Sequence, residues 1–133
     1  MAKRKLPPLS EAQLGIMNVV WDHGEVTVGE VWKALTLLRS VSRNTVSTMV
    51  TRLEEKGWLR HRVRGGSYLY SATHAREKVL SRIVHRLVDA AFQGSAEDLV
   101  LSLLEGGRLS AEEVERIKAM LEKAETEMRE GRR

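Results

Sequence analysis

Apolar residues recur at helical spacing through the first 56 positions of the chain, in three separate stretches. These stretches predict helices over about 11–22, 28–39 and 43–56, and Gly57 is placed to end the third. Ser10 and Thr27 each precede a helix and are followed three positions later by a residue that completes a capping box. The positions expected to face a common core are Ala12, Ile16, Val19 and Val20, then Val28, Val31, Trp32, Leu35 and Leu38, then Val46, Met49, Val50 and Leu53.

The period then changes from about 3.6 to 2, which predicts two strands over 58–64 and 67–72. Gly65 and Gly66 lie between them and favour a two-residue hairpin turn, because glycine tolerates the positive φ that such turns need. Helical spacing returns over about 75–92, 96–105 and 111–130, and Ser110 with Glu113 predicts a capping box at the start of the last of these helices. The predicted fold is mainly α with a small antiparallel β wing: a winged helix-turn-helix domain over 1–73, followed by an α-helical domain over 74–133.

Charge divides unequally along this chain of 133 residues, whose net charge is +4. Residues 1–74 hold eleven basic and six acidic side chains, whereas residues 75–133 hold eleven basic and twelve acidic ones. The basic excess therefore belongs to the predicted winged-helix domain, where it suggests a polyanionic partner. Apolar runs fall far short of the ~20 residues that cross a bilayer, so we expect a cytoplasmic protein that does not insert into a membrane.

Catalytic and metal-binding patterns are weak. The chain has no cysteine, which excludes disulfides, thiolate metal sites and thiol nucleophiles. Its four histidines lack the H-E-x-x-H spacing of a zinc peptidase. We therefore expect no enzyme activity, no metal and no cofactor.

The third predicted helix and the wing carry the residues expected at a nucleic-acid surface. The outward positions of the helix are short, polar or basic, which suits the major groove of double-stranded DNA. Three arginines alternate along the first wing strand, so they lie on one face and can bind the DNA backbone or the minor groove. The predicted DNA-binding set is Ser42, Arg43, Asn44, Thr45, Ser47, Thr48, Thr51, Arg52, Arg60, Arg62 and Arg64.

The helical C-terminal part predicts self-association. Its last helix has apolar residues in steps of three and four, a narrow seam of the coiled-coil kind. A segment of this size buries too little surface to be stable alone, and a second copy can complete its core. The alternative is that these stripes pack on the N-terminal part of the same chain. The residues predicted to form the homodimer are Leu80, Ile83, Val84, Leu87, Val114, Ile117, Leu121 and Ala124. A two-fold dimer would place its recognition helices on a palindromic site.

Four segments of the chain match a known pattern: LSEAQLGIMNVVW at 9–21, SRNTVSTMVTRL at 42–53 with KG at 56–57, LVLSLLE at 99–105, and LSAEEVER at 109–116. With these segments the chain resembles, over about 9–121, the penicillinase-repressor family of BlaI, MecI and CopY type. The resemblance implies a cytoplasmic homodimeric repressor of palindromic operators. It also implies major-groove contacts at Asn44, Thr45, Thr48 and Arg52.

The resemblance further implies release of the repressor by cleavage in its C-terminal part, when a membrane metallopeptidase sensor detects a β-lactam. The family's scissile bond is Asn–Phe, and the matching bond here is Ser102–Leu103. Copper-responsive members of the family carry a C-terminal cysteine cluster, which this chain lacks.

Two alternatives stay open from the residues. A winged-helix regulator can be released by a bound small molecule, and some winged helices bind proteins in place of DNA. An apolar or acidic outward face on the third helix would favour the protein-binding alternative. This face is neither.

Overall fold

The computed structural model describes residues 6–131, which cluster into two compact units that divide after Ser81. The basic residues among 1–5 and the last two arginines lie outside the described part. The predicted boundary between domains after residue 73 stays a prediction.

Three helices build most of the first unit: α1 (Glu11–His23), α2 (Val28–Thr36) and α3 (Arg43–Glu55). The predicted capping boxes are confirmed, with the Gln13 and Glu30 backbone N–H groups each donating to the capping hydroxyl at 3.1 Å. Gly57 follows α3 with φ of 95°, the left-handed conformation that glycine adopts after a helix.

The second helix ends earlier than predicted, at Thr36 in place of residue 39. The backbone N–H groups of Leu38 and Arg39 both donate to the Leu35 carbonyl, so the chain tightens into a turn there. Leu38, predicted to face the core, is 83% exposed as a result. Helical spacing in the sequence could not reveal this, because apolar residues in a turn fit the same pattern.

The wing is a hairpin of β1 (Leu59–Arg64) and β2 (Ser67–Ala72), paired antiparallel so that Arg64 faces Ser67. Gly65 and Gly66 connect the strands with φ of 57° and 78°, the two positive values that a type I′ turn requires. The hairpin prediction is therefore confirmed. Val26 adds a short antiparallel bridge on the free edge of β2 through two hydrogen bonds with Tyr70.

The core of the first unit lies between these three helices and the wing. Among residues 6–81, thirteen apolar side chains are buried in it. They are Ile16, Met17, Val20, Val26, Val31, Leu35, Val46, Val50, Leu53, Trp58, Leu59, Tyr70 and Val79. Val79 lies in the first turns of α4 (Arg76–Ala91), so this helix begins as part of the winged-helix core. Met49, predicted to face inward, is half-buried against the core.

The second unit contains the end of α4, then α5 (Ala96–Glu105) and α6 (Ala111–Gly131). The Ser110 hydroxyl accepts the backbone N–H of Glu113 at 3.1 Å, which confirms the predicted cap of α6. No residue of the described range 82–131 is buried. Within the described helices we find none that combines the length and the apolar character needed to cross a membrane.

Candidate DNA-binding surface

Helix α3 has two chemically distinct faces. Val46, Val50 and Leu53 are buried on one face, which fixes the helix against the core. Asn44, Thr48 and Arg52 follow one another at intervals of four residues on an exposed face. None of these three side chains makes a hydrogen bond within the described residues. They are therefore free to bind an external group.

The predicted hydroxyl residues of α3 are partly engaged inside the helix, whereas Arg43 is exposed and makes no hydrogen bond or ion pair within the described residues. Ser42 caps it, since its Oγ accepts the Thr45 backbone N–H at 3.1 Å. The Ser42 and Thr45 hydroxyls also lie 2.8 Å apart. Thr51 donates its hydroxyl to the Ser47 carbonyl at 3.0 Å, and Ser47 itself is half-buried. These hydroxyls are thus less available to a ligand than the amide of Asn44.

The turn between α2 and α3 is fixed by a tryptophan. The indole Nε1 of Trp32, on α2, donates to the backbone carbonyl of Val41 at 2.9 Å. Val41 immediately precedes the cap of α3, so this bond sets where the exposed helix begins. The aromatic residue is visible in the sequence, but its backbone partner is not.

The arginines of β1 lie on one face of the wing as predicted, because Arg60, Arg62 and Arg64 alternate along the strand. Their surroundings differ. Arg60 Nε is 3.5 Å from the Ser71 hydroxyl, and Arg64 makes no hydrogen bond or ion pair within the described residues. Arg62 instead forms two hydrogen bonds to one carboxylate of its own chain, that of Glu25.

The pair of Arg62 and Glu25 is a two-pronged ion pair. Arg62 Nε donates to Glu25 Oε2 at 2.6 Å and Nη2 donates to Oε1 at 2.8 Å. Hydrogen bonding from Arg62, followed by its positive charge and that of Arg64, lowers the pKa of Glu25. The same hydrogen bond raises the pKa of Arg62. No sequence pattern predicts this contact, since the two residues are 37 positions apart.

The opposite face of the wing is joined to the end of α3. His61 Nδ1 contacts the Glu54 carboxylate, and its ring stacks on Tyr68 with centroids 4.2 Å apart. Tyr70 is buried beside them, and burial, together with the Glu54 charge, raises its pKa. These contacts hold the wing against the exposed helix, and sequence reasoning did not identify them.

The predicted dimerisation residues are apolar side chains with incomplete burial. Leu80, Val114, Ile117 and Ala124 are half-buried, while Ile83, Val84, Leu87 and Leu121 are exposed. The predicted cleavage bond between Ser102 and Leu103 lies inside α5, with both residues exposed.

Exposed polar groups on α3 and the cations of the wing form one basic segment. Residues 43–64 contain six basic and two acidic side chains, a net charge of +4. A helix-turn-helix whose second helix shows a polar stripe, followed by a basic hairpin, defines a winged helix-turn-helix protein of the DNA-binding class.

Comparison with known proteins specifies the family. The penicillinase repressor family model matches residues 9–123. The penicillinase repressor of Bacillus licheniformis is 30% identical over 127 residues, which are 96% of this chain and 99% of that protein. The transcriptional regulator BlaI of Mycobacterium tuberculosis is 28% identical, over 97% of this chain and 92% of that protein. The chain belongs to the penicillinase repressor family and is a DNA-binding transcriptional repressor.

A solved structure supports the fold of the first unit. The solution structure of the DNA-binding domain of the repressor BlaI is 34% identical and covers 56% of this chain and 90% of that domain, with a TM-score of 0.50. The predicted fold class and family resemblance are both confirmed.

Proposed function

We propose that the repressor acts in the cytoplasm as a homodimer on a palindromic operator, without enzyme activity. One observation carries the proposal: the DNA-binding unit has a complete core of its own, whereas the described part of the second unit has no buried residue. The first unit can therefore present α3 to DNA unaided. The second unit needs a partner.

The stripe of Asn44, Thr48 and Arg52 is the part of the protein that reads the operator. An asparagine amide pairs with adenine and an arginine with guanine in the major groove, and a threonine contacts either a base edge or a thymine methyl. Arg60 and Arg64 bind the backbone beside the groove, which adds affinity without sequence information. The caps and the Trp32 bond hold the helix in register for this contact.

A second copy of the chain is the proposed partner of the C-terminal unit. Ten large apolar side chains of this unit are at least one-third exposed, which is more than an isolated soluble unit of 50 residues usually leaves uncovered. They are Ile83, Val84, Leu87, Val100, Leu101, Leu103, Leu104, Met120, Leu121 and Met128. Their spread over three helices suits a partner that covers several faces at once, as an intertwined copy does.

Sedimentation and DNA binding together test the proposal. We expect a dimer at micromolar concentration and a palindromic duplex recovered from a random pool. A duplex with one half-site should bind at least about tenfold more weakly than the palindrome. A monomer that binds both duplexes equally would contradict the dimer, and a protein that binds neither would contradict the proposed function as a whole.

We propose that release from the operator follows proteolysis at Ser102–Leu103 in response to a β-lactam, the route that the family resemblance implies. The name of the Bacillus relative, penicillinase repressor, supports the link to a β-lactam signal and not the cleavage itself. The bond lies within a helix, where the Ser102 carbonyl accepts the Gly106 N–H at 3.0 Å. Cleavage therefore requires local opening of α5.

The length of the repressor chain after induction distinguishes release by cleavage from release by a small molecule. Cells that carry the natural gene are exposed to a β-lactam, and the repressor is followed by immunoblot and mass spectrometry. A fragment that begins at residue 103 is expected. Lifted repression with a full-length chain would contradict cleavage and favour release by a small molecule.

A further inference from the structure

One carboxylate lies at the edge of the arginine face of the wing, and its position follows from the fold. Gly24 ends α1 with φ of 83°, and its N–H donates to the Val20 carbonyl. Two residues later, Val26 is buried and bridges Tyr70 through hydrogen bonds of 3.0 and 2.7 Å. Neighbouring side chains in an extended segment point to opposite faces. Glu25 is therefore directed to the face opposite Val26, which is the arginine face.

Arg62 reaches across β2 to meet this carboxylate. Arg62 lies on β1 opposite Leu69, whereas Glu25 adjoins the bridge on the far edge of β2. Both donors on the Nε–Nη2 edge of the guanidinium are hydrogen-bonded to the two carboxylate oxygens of Glu25. This is the same edge and geometry with which arginine holds a phosphate.

The two partners remain partly open to solvent, with 54% and 40% of their side chains exposed. A DNA phosphate can thus approach Arg62, but it must do so beside a negative charge that already occupies the paired donors. Arg64 has the same strand, the same face and no such partner within the described residues. Both cations act on Glu25 by their charge, but only Arg62 is hydrogen-bonded to it, so the two arginines differ in whether their donors are already occupied.

We propose that Glu25 is an internal competitor of the DNA phosphates for Arg62. It withholds this cation from the backbone and so limits sequence-independent binding, while Arg64 remains available. The proposal rests on the proposed function, because it concerns how the same DNA-binding surface is tuned. Since phosphate contacts carry no sequence information, Glu25 should lower the affinity for all DNA sequences by the same factor.

Salt-dependent binding of a labelled duplex of mixed sequence tests the proposal with the full chain. Freeing one cation to contact one more phosphate steepens the plot of log affinity against log salt by about 0.9. We expect Glu25→Gln to show this steeper slope and to bind about five- to tenfold more tightly near 0.1 M salt. The affinity of this variant for the palindromic duplex should rise by the same factor.

Two controls isolate the competitor role. Glu11→Gln removes the same charge from an exposed carboxylate on α1 that makes no ion pair within the described residues, and it should change affinity less than about twofold. In an Arg62→Ala background, Glu25→Gln should also have less than about a twofold effect. Circular dichroism melting of each variant checks that it is folded.

Three results would overturn the proposal. Unchanged binding by Glu25→Gln would show no competition, and weaker binding would show that the pair holds the wing in place for DNA. If Glu25→Gln raised DNA affinity equally in the Arg62→Ala background, Glu25 would be repelling the DNA phosphates directly and not by holding Arg62. A wild-type chain that binds no duplex at all would instead overturn the proposed function.

Discussion

The two units of this repressor use their apolar residues in opposite ways. The described part of the winged-helix unit buries thirteen of them in one core between α1, α2, α3 and the wing. The described part of the C-terminal unit buries none, although its helices carry comparable apolar stripes. A periodic stripe thus shows that a helix has an apolar face, but not which molecule covers that face.

The largest expected effect is on the core of the winged-helix unit. Leu53→Ala, at a fully buried position of α3, should lower the free energy of unfolding by about 2–5 kcal/mol through lost burial and a cavity. The three tryptophans, Trp21, Trp32 and Trp58, all lie in this unit, so their fluorescence follows its unfolding. Leu38→Ala is the matched control, since the same change at an exposed turn should cost less than about 0.5 kcal/mol. Equal losses of unfolding free energy for the two variants would mean that Leu38 is buried, and therefore that α2 extends to residue 39 as its apolar spacing predicts.

Self-association is the next largest effect. Leu87→Asp introduces a charge into an exposed stripe of α4 and should weaken the dimer at least about 30-fold, because an unpaired charge is costly in an apolar interface. Sedimentation equilibrium measures this change. Leu38→Asp is the control, with the same substitution at an exposed leucine outside the predicted seam. If Leu87→Asp left the dimer intact, the seam would have to lie on another face of the unit.

Sequence preference should change when the exposed stripe of α3 is altered. Asn44→Ala removes a side chain with no hydrogen bond inside the described protein, and it should cost about 1–3 kcal/mol of discrimination at one base pair of each half-site. Selection from a random DNA pool reads this out directly. Thr51→Ala should shift the preferred sequence less, because its hydroxyl already donates to the Ser47 carbonyl. A uniform loss of affinity on all sequences with Asn44→Ala would mean that α3 is docked differently.

A smaller effect is expected on the salt dependence of DNA binding, where Arg62 and Arg64 of the wing should differ. Arg64→Ala should flatten the salt dependence of DNA binding by about 0.9, the contribution of one phosphate contact. Arg62→Ala should flatten it less, because Glu25 already holds that guanidinium. Titrations at four or more salt concentrations measure both slopes. Equal slopes would show that Arg62 leaves Glu25 when DNA binds.

The smallest effect is a pH dependence of the same ion pair. The pKa of Glu25 is lowered in the folded protein from its ordinary value of 4.5, chiefly by the hydrogen bond from Arg62. Its stabilising contribution is therefore present above about 4.5 and is lost as the pH falls through the lowered value. The difference in unfolding free energy between wild type and Glu25→Gln should therefore narrow as the pH falls from 4.5 through the lowered pKa of Glu25. A difference that stayed constant with pH would mean that the pair contributes nothing to folding.

Where local chemistry decides the structure, the sequence predicts it correctly. Ser10, Thr27 and Ser110 predicted helix starts because each cap is completed within three residues. The Gly65-Gly66 turn followed from the φ values that only glycine adopts easily. Prediction was less successful at the end of α2, where Leu38 kept the helical spacing although the chain had already turned.

Contacts between distant residues could not be predicted in this way. The bond of Trp32 to a carbonyl of the turn and the stacking of His61 on Tyr68 depend on how the elements pack. The candidate DNA-binding residues are predictions from their spacing and chemistry along the sequence. Which of them are free and which are engaged emerged from the three-dimensional arrangement.

By itself, the sequence determined the order of the helices, the wing, the basic excess of the first half and the family resemblance, because each depends on composition or on short-range spacing. Tertiary structure decided that Glu25 meets Arg62 across the wing. The Val26 bridge places Glu25 beside Arg62, although the two residues are 37 positions apart in the chain. No local sequence pattern can predict that contact.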